Sequence, residues 1–326
     1  MKVYKAMGNG RFNIEEIPPQ ESPLIKVKVM KILPTRSDHD IFTGKADKKY
    51  PLVPCSMATG VISESRPEYG LKRGQKVILN PYTVPNFDRL DVFPQVTTYG
   101  YDKDGFLADY ALLPVENIIP FPEEMREDEA IFAGYTAIAL AAINCFGVEK
   151  GDYVAILGAS ALCNLIAQYA LYLQAIPIVI DSDPNRLRKA GECGIYYTVN
   201  SNQEVPYNRV LEITGGRMAE HTIMESDPSV LPQLLFTLTR QGGDCTIVSV
   251  NGYLNTMEAD INLISSRRLK VKGVSHGATE FNSAVYLIAQ KNLKLSPLIE
   301  DTVTLDSPEQ VFNSLTGKSM ATLINI

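Results

Sequence analysis

Gly158 and Asp181 stand 23 residues apart, and the chain between them has the pattern of a dinucleotide site. The apolar run Tyr153 to Leu157 ends at Gly158. The turn Gly158-Ala159-Ser160-Ala161-Leu162-Cys163 then opens a stretch in which Leu162, Leu165, Ile166, Tyr169, Ala170 and Leu173 share one helical face. A second apolar run, Ile176 to Ile180, ends in Asp181. Strand, glycine turn, helix and acid-tipped strand make one βαβ unit. In such a unit the helix N-terminus attracts a pyrophosphate, and a carboxylate about 20 residues after the turn accepts hydrogen bonds from the ribose hydroxyls. This predicts Gly158, Ser160, Ala161, Leu162, Asp181 and Arg186 as cofactor contacts. A carboxylate repels a 2'-phosphate, and no arginine directly follows Asp181, so NAD is favoured over NADP. The turn departs from Gly-x-Gly-x-x-Gly at its second and third glycines, which are Ser160 and Cys163. Both are small, so phosphate binding is expected to survive in weakened form. Restoring glycine at both is expected to tighten cofactor binding by about 1 kcal/mol. A βαβ unit with no ligand is the alternative at this point.

Up to about Phe121 short strands alternate with Pro and Gly turns, at Ile25 to Ile32, Thr59 to Ser63, Gln75 to Leu79 and Phe106 to Leu113, which reads as a mostly β domain. Glu123 to Ala130 opens an alanine-rich helix running through Ala142. Strands and helices then alternate to about Ser275, including Thr246 to Val250 and Leu269 to Val274, the pattern of a parallel sheet covered on both faces. A helix near Ser283 to Lys291 and a strand from Ala321 to Ile326 follow.

At 326 residues, 45% hydrophobic and 21% charged, the chain has room for two domains with full cores. Its net charge of -6 and isoelectric point near 5.3 oppose a general affinity for nucleic acid or an anionic membrane surface. No apolar stretch reaches the ~20 residues of a membrane span. Met1-Lys-Val-Tyr-Lys-Ala lacks the apolar core of a signal peptide, so a cytoplasmic protein is expected. Cys55, Cys145, Cys163, Cys193 and Cys245 stand singly, which predicts reduced, mostly buried thiols.

Four further runs fall in order around the βαβ unit. Leu71-Lys-Arg-Gly74-Gln-Lys-Val77 turns into a strand, and Asp104-Gly105-Phe106-Leu-Ala108-Asp-Tyr110 forms another. Tyr135-Thr136-Ala137, followed by Leu140, lies in the alanine-rich helix, and Gln241-Gly242-Gly243-Asp-Cys-Thr-Ile-Val-Ser-Val250 enters a late strand. In this order and spacing the chain resembles the medium-chain dehydrogenase/reductase superfamily over nearly its whole length. The resemblance implies an α/β chain with a GroES-like β domain from residues 1–122 and 276–326. It further implies a Rossmann domain, a doubly wound parallel sheet, from 123–275, with the active site in the cleft between the two. It also implies an NAD(P)-linked oxidoreductase, places Thr136 beside the nicotinamide and adds Ser226 and Asn251 as cofactor neighbours. An apolar strand at Leu269 to Val274, together with family precedent, makes a homodimer the expected state.

Zinc-bearing members carry a Cys-Gly-Thr-Asp-x-His-x-x-x-Gly run, and Thr35-Arg36-Ser37-Asp38-His39-Asp40-Ile-Phe-Thr-Gly44 resembles it with threonine for the cysteine. Their Gly-His-Glu run matches Cys55-Ser56-Met57, and a further ligand position matches Phe132. Catalytic zinc takes three ligands from thiolate, imidazole or carboxylate, so these replacements predict a metal-free site. Asn80 to Lys103 has the length of the family's structural-zinc lobe but no cysteine. Pro81, Tyr82, Pro85, Phe87, Phe93, Tyr99 and Tyr101 predict that packing holds it instead. A polar pocket is left. Ser37 falls at the family's proton-relay hydroxyl, Asp40 replaces the relay histidine, and Thr35 and Ser56 add hydroxyls, with Tyr135 a further candidate. Asp38 is expected to fix the loop by accepting backbone hydrogen bonds. Such a site suits a small carbonyl, an enone or a polyol-derived substrate. Two readings stand: a zinc-independent NAD(P)-linked oxidoreductase, or a dehydrogenase-like binding or structural protein that has lost catalysis.

Overall fold

The computed structural model describes residues 1–18, 22–84, 96–122, 124–226, 232–249, 260–315 and 320–326. The chain forms two compact units, Met1–Gly134 with Ile299–Ile326, and Tyr135–Leu298.

The first unit opens with an antiparallel pair, β1 (Lys2–Ala6) and β2 (Phe12–Glu16). It continues through β3 (Ile25–Ile32), α1 (Arg36–Thr43), β4 (Ala58–Ile62), β5 (Lys76–Leu79), the short pair β6 (Tyr82–Thr83) and β7 (Thr97–Thr98), β8 (Tyr110–Leu113), β9 (Ile118–Pro120) and α2 (Glu127–Ala130). β8 is shorter than the sequence pattern predicts. Phe106 and Leu107 give their amides to the Cys55 and Pro54 carbonyls and so leave the ladder. The expected single helix from 123 to 142 is likewise broken, because Ile131 and Phe132 turn fully into the core after α2. Residue 123 lies outside the described residues.

The second unit follows with α3 (Ala133–Asn144), β10 (Tyr153–Leu157), α4 (Ala161–Tyr172), β11 (Ile176–Asp181), α5 (Pro184–Glu192), β12 (Tyr197–Asn200), α6 (Pro206–Ile213), β13 (Ala219–Glu225), α7 (Gln233–Thr237), β14 (Thr239–Val248), α8 (Ile261–Arg267), β15 (Lys270–Val274) and α9 (Phe281–Ala289). Among the described residues its six strands are all parallel, in the order β12-β11-β10-β13-β14-β15. That is the doubly wound order, with β10 and β13 straddling the point where the winding reverses, the place where such sheets bind ligands. Residues 276–298 go with this unit: Gly277 packs against the Ala137 backbone, and Gln168 exchanges hydrogen bonds with the Lys294 main chain.

The chain then returns to the first unit as β16 (Ile299–Thr304), α10 (Pro308–Ser314) and β17 (Ala321–Asn325). They complete a sheet ordered β16-β17-β3-β4-β5-β9, with β8 on β3. Phe12, Phe42 and Phe312 meet in its core with centroids 4.8 to 5.5 Å apart. A GroES-like β unit and a Rossmann unit make up this α/β chain.

Candidate functional site

In the Rossmann unit the register of β10 and β11 sets Leu157 beside Ile180, so Gly158 and Asp181 leave the sheet at the same edge. Gly158 has φ +111°, a conformation that glycine adopts without strain. Ser160 caps α4, its Oγ accepting the Cys163 amide at 3.1 Å. The same hydroxyl donates to Glu225 Oε2, and the buried Cys163 thiol points at that oxygen from 3.4 Å. Burial and the Glu225 charge push the Cys163 thiol well above its ordinary pKa, which keeps it a donor. Both side chains that break the glycine pattern therefore turn onto one carboxylate. The first-turn amides of Ala161 and Leu162 have no partner within the helix and are the donors a phosphate would meet, with the Glu225 carboxylate beside them.

Asp181 has a second task besides the one its spacing predicts. Its Oδ2 accepts the Ala159 amide at 2.7 Å and its Oδ1 the Asp183 amide at 2.8 Å, so it pins the glycine turn to the end of β11. Arg186 places Nη1 3.9 Å from Oδ2. Each carboxylate oxygen retains acceptor capacity for a ribose hydroxyl. On α3, Thr136 is 1% exposed, and its hydroxyl has no hydrogen-bond partner among the described residues. A buried orphan of this kind suits a missing ligand group. Ser226 continues β13, its amide donating to the Val248 carbonyl at 2.8 Å, and Asn251 lies outside the described residues.

In the GroES-like unit Thr35 caps α1 in a capping box with Asp38. Asp38 Oδ2 accepts the Thr35 amide at 2.7 Å and the Thr35 hydroxyl at 2.8 Å. Its Oδ1 accepts the Cys55 amide at 2.8 Å. Asp38 thus ties the Cys55-Ser56 segment to the first turn of α1. Burial raises its pKa even though these hydrogen bonds oppose the shift. The Thr35 hydroxyl spends its proton on Asp38 and offers a substrate only a lone pair. Ser37 and Ser56 are buried, and Asp40 Oδ2 is buried with no hydrogen-bond partner among the described residues. From behind, Gly100 and Gly105 press on the same segment. A Cβ on Gly105 would lie 2.4 Å from the Cys55 carbonyl oxygen, and one on Gly100 2.6 Å from the Cys55 carbonyl carbon. Cys55 itself has φ +72°, the left-handed backbone that the matching family glycine adopts freely. In the described part of the adjoining lobe, Lys103 lies 3.6 Å over the Tyr99 ring and donates to Thr83, while Lys48 lies 3.3 Å over Tyr101. Pro85, Phe87 and Phe93 lie outside the described residues.

Two family models match this chain: the alcohol dehydrogenase GroES-like domain over residues 20–123 and the zinc-binding dehydrogenase domain over 161–290. The chain belongs to the medium-chain dehydrogenase/reductase superfamily, a family of NAD(P)-linked oxidoreductases. Among its superfamily relatives, an uncharacterised zinc-type alcohol dehydrogenase-like protein of Haemophilus influenzae is 25% identical over 73% of this chain and 70% of its own length. A zinc-type alcohol dehydrogenase-like protein of Schizosaccharomyces pombe is 24% identical over 91% and 89%. A Sinorhizobium meliloti protein described as a zinc-binding dehydrogenase, solved bound to NADP, shares the fold with a TM-score of 0.86 at 20% identity, covering 100% of this chain and 99% of that one.

Against the zinc-bearing members of the superfamily, the donor set here does not fit the metal. Thr35 is bonded to Asp38, Ser56 offers a neutral hydroxyl, Met57 packs its thioether end against Gly134, and Phe132 is hydrocarbon in the core. Among the described residues no three His, Cys, Asp or Glu side chains are grouped to hold a metal ion. The dinucleotide turn and the orphaned Thr136 hydroxyl do fit a nicotinamide cofactor. Sequence reading missed Glu225. Its signal was the apolar end of a strand, Ile223-Met224, followed by an acid beside β10, as β11 ends in Asp181.

Proposed function

We propose that the chain is a zinc-independent oxidoreductase that moves hydride between NAD(H) and a small carbonyl, enone or polyol-derived substrate. The observation that supports this reading most is the Gly158 turn, at φ +111° before the start of α4 and pinned to the end of β11 by Asp181, the arrangement of a dinucleotide turn. When bound, the nicotinamide supplies or takes the hydride. The protein handles the proton and the orientation. Ser37 gives a proton to, or takes one from, the substrate oxygen, with Asp40, three residues on along α1 and buried with its Oδ2 unbonded among the described residues, as the proposed acceptor behind it. Ser56 donates a hydrogen bond that orients the polar group of the substrate, and Thr35, through Asp38, holds the loop that presents Ser56. A neutral hydroxyl is a weak acid compared with a metal-polarised water, which favours already polarised enones and activated carbonyls.

Asp181 supports NAD over NADP, although the neighbouring Arg186 lowers the local negative charge and narrows the margin. The exposed outer strand β15 supports a homodimer formed edge to edge. The five free thiols suit a reducing compartment such as the cytoplasm. Among the described residues no helix is long and apolar enough to cross a membrane.

The test is calorimetric titration with NADH and NADPH after dialysis against a chelator, followed by turnover on a panel of enones, carbonyls and polyols, with elemental analysis of the same sample. Expected are tighter binding of NADH and turnover without stoichiometric zinc. No heat with either cofactor, or activity that tracks zinc content, overturns the reading. A second reading, nucleotide binding without catalysis, is favoured by the commitment of Thr35 to Asp38. NADH binding with no turnover anywhere on the panel would establish it.

A further inference from the structure

Helices α3, α4 and α9 of the Rossmann unit enclose an open cavity of about 410 Å³ that shares no residue with the dinucleotide turn. Its α4 side is Tyr169 and Tyr172, at the opposite end of the helix from Ser160. Twelve residues of α-helix separate Ser160 from Tyr172, about 18 Å. The two rings lie 6.0 Å apart with planes 16° from parallel. That spacing admits nothing between the stacked rings, and both line the cavity. Leu140 of α3 and Leu287 of α9, both buried, make the apolar floor. From α9 and its C-cap Gln290, Ser283, Leu287 and Gln290 recur at helical spacing, and Tyr286 stands between Asn282 and Gln290. Those two amides are eight residues apart, about 12 Å along the helix, and bracket the ring.

The chemistry of the lining narrows the ligand. No lining side chain is charged, and the nearby Glu280 carboxylate acts on the Tyr169 hydroxyl, so anions find no counter-charge here. Tyr172 and Tyr286 are 48% and 65% exposed, a large aromatic surface left to water. Amide, hydroxyl and phenol groups around that surface can both donate and accept. Asn292 donates to Gln290 Oε1 at 3.0 Å, which fixes the amide and leaves its NH2 as a donor. An aromatic wall, an apolar floor and amides at both ends, in a space of small-molecule size, match a ring with apolar C–H faces and a girdle of hydroxyls.

We infer that this cavity binds a neutral pyranose sugar, one or two rings long, apart from the cofactor. Saturation-transfer NMR on the full chain with methyl β-glucopyranoside and cellobiose tests it. Expected is transfer strongest at the ring C–H protons and unchanged by saturating NADH. In Tyr172→Ala and Tyr286→Ala the Kd rises at least tenfold. Both side chains are largely exposed, so thermal melts should show both variants folded, and Gln290→Ala gives an independent, smaller loss. Absence of transfer from both sugars overturns the inference, as does a signal that persists in both tyrosine variants or is displaced by NADH. Binding of indole or tetramethylammonium in place of the sugars overturns the ligand class. If sedimentation shows a wild-type oligomer that Tyr286→Ala dissociates, the patch is a subunit contact and the inference fails.

Discussion

The Ser160 hydroxyl donates a hydrogen bond to Glu225, 65 residues away in sequence, where α4 begins beside the end of β13. Cys163 reaches the same oxygen. The two residues that make the glycine turn look eroded are therefore the donors that satisfy a carboxylate next to the proposed phosphate site.

This reverses the expectation that glycine at both positions tightens cofactor binding. Ser160→Gly/Cys163→Gly removes both donors and the N-cap and puts glycine into the first turn of α4. The double variant is expected to lose about 2 kcal/mol of stability, with no gain in NADH affinity. Urea denaturation and calorimetry on the same samples check it. A tenfold tighter NADH complex would mean that the side chains obstruct the phosphate after all.

Asp181 pins the glycine turn and is the residue proposed to set cofactor choice. Asp181→Ala should weaken NADH about tenfold, since the Ala159 amide loses its partner, while NADPH, relieved of a repelling charge, weakens less. The NADH-to-NADPH preference therefore shrinks. Parallel titrations decide, and an unchanged ratio removes Asp181 from the selection.

Asp38 satisfies three donors at once. Asp38→Ala leaves the Thr35 amide, the Thr35 hydroxyl and the Cys55 amide unpaired, and a loss of about 3 kcal/mol is expected. Asp38→Asn should recover only part of this, because its NH2 must face a donor. Chemical denaturation measures both. An alanine variant within about 0.5 kcal/mol of wild type would show that water replaces the carboxylate.

His276 gives a pH signature. Burial lowers its pKa, and its Nδ1 accepts the Ala278 amide at 3.3 Å, so the folded state holds the ring neutral. As pH falls below the ordinary histidine value near 6.5, the unfolded chain takes up the proton first. Stability from this group is fully present above that pH and is lost on acidification until the folded ring also protonates. His276→Asn keeps an acceptor without the titration. Its denaturation midpoint should fall less between pH 7.5 and 5.5 than that of wild type, and parallel slopes would refute the assignment.

The centre of the Rossmann unit was legible because β10 and β11 are buried on both faces and read as nearly uninterrupted apolar runs. β10 and the βαβ pattern from Tyr153 to Asp181 follow the sequence closely. The GroES-like unit was legible in order but less so in its boundaries. There Phe106 and Leu107 bond to a loop rather than a ladder, a choice made by contacts some 50 residues away. The pocket residues were legible by position in the run from Thr35 to Asp40. Their division of labour was not, since which carboxylate is consumed by backbone donors depends on where the Cys55 segment passes. Glu225 carried only the signal of an acid at a strand end, without the spacing from the glycine turn that marks Asp181.

Two lysines over tyrosine faces, Lys103 on Tyr99 and Lys48 on Tyr101, fasten the lobe at the position where zinc-bearing relatives place a structural metal. A fastening of that kind answers to different reagents. The lobe's sequence offers no thiol to an oxidant, whereas acetylation of either lysine removes the charge that the ring attracts. The hold on the described part of the lobe is thereby tied to the chemistry of lysine modification.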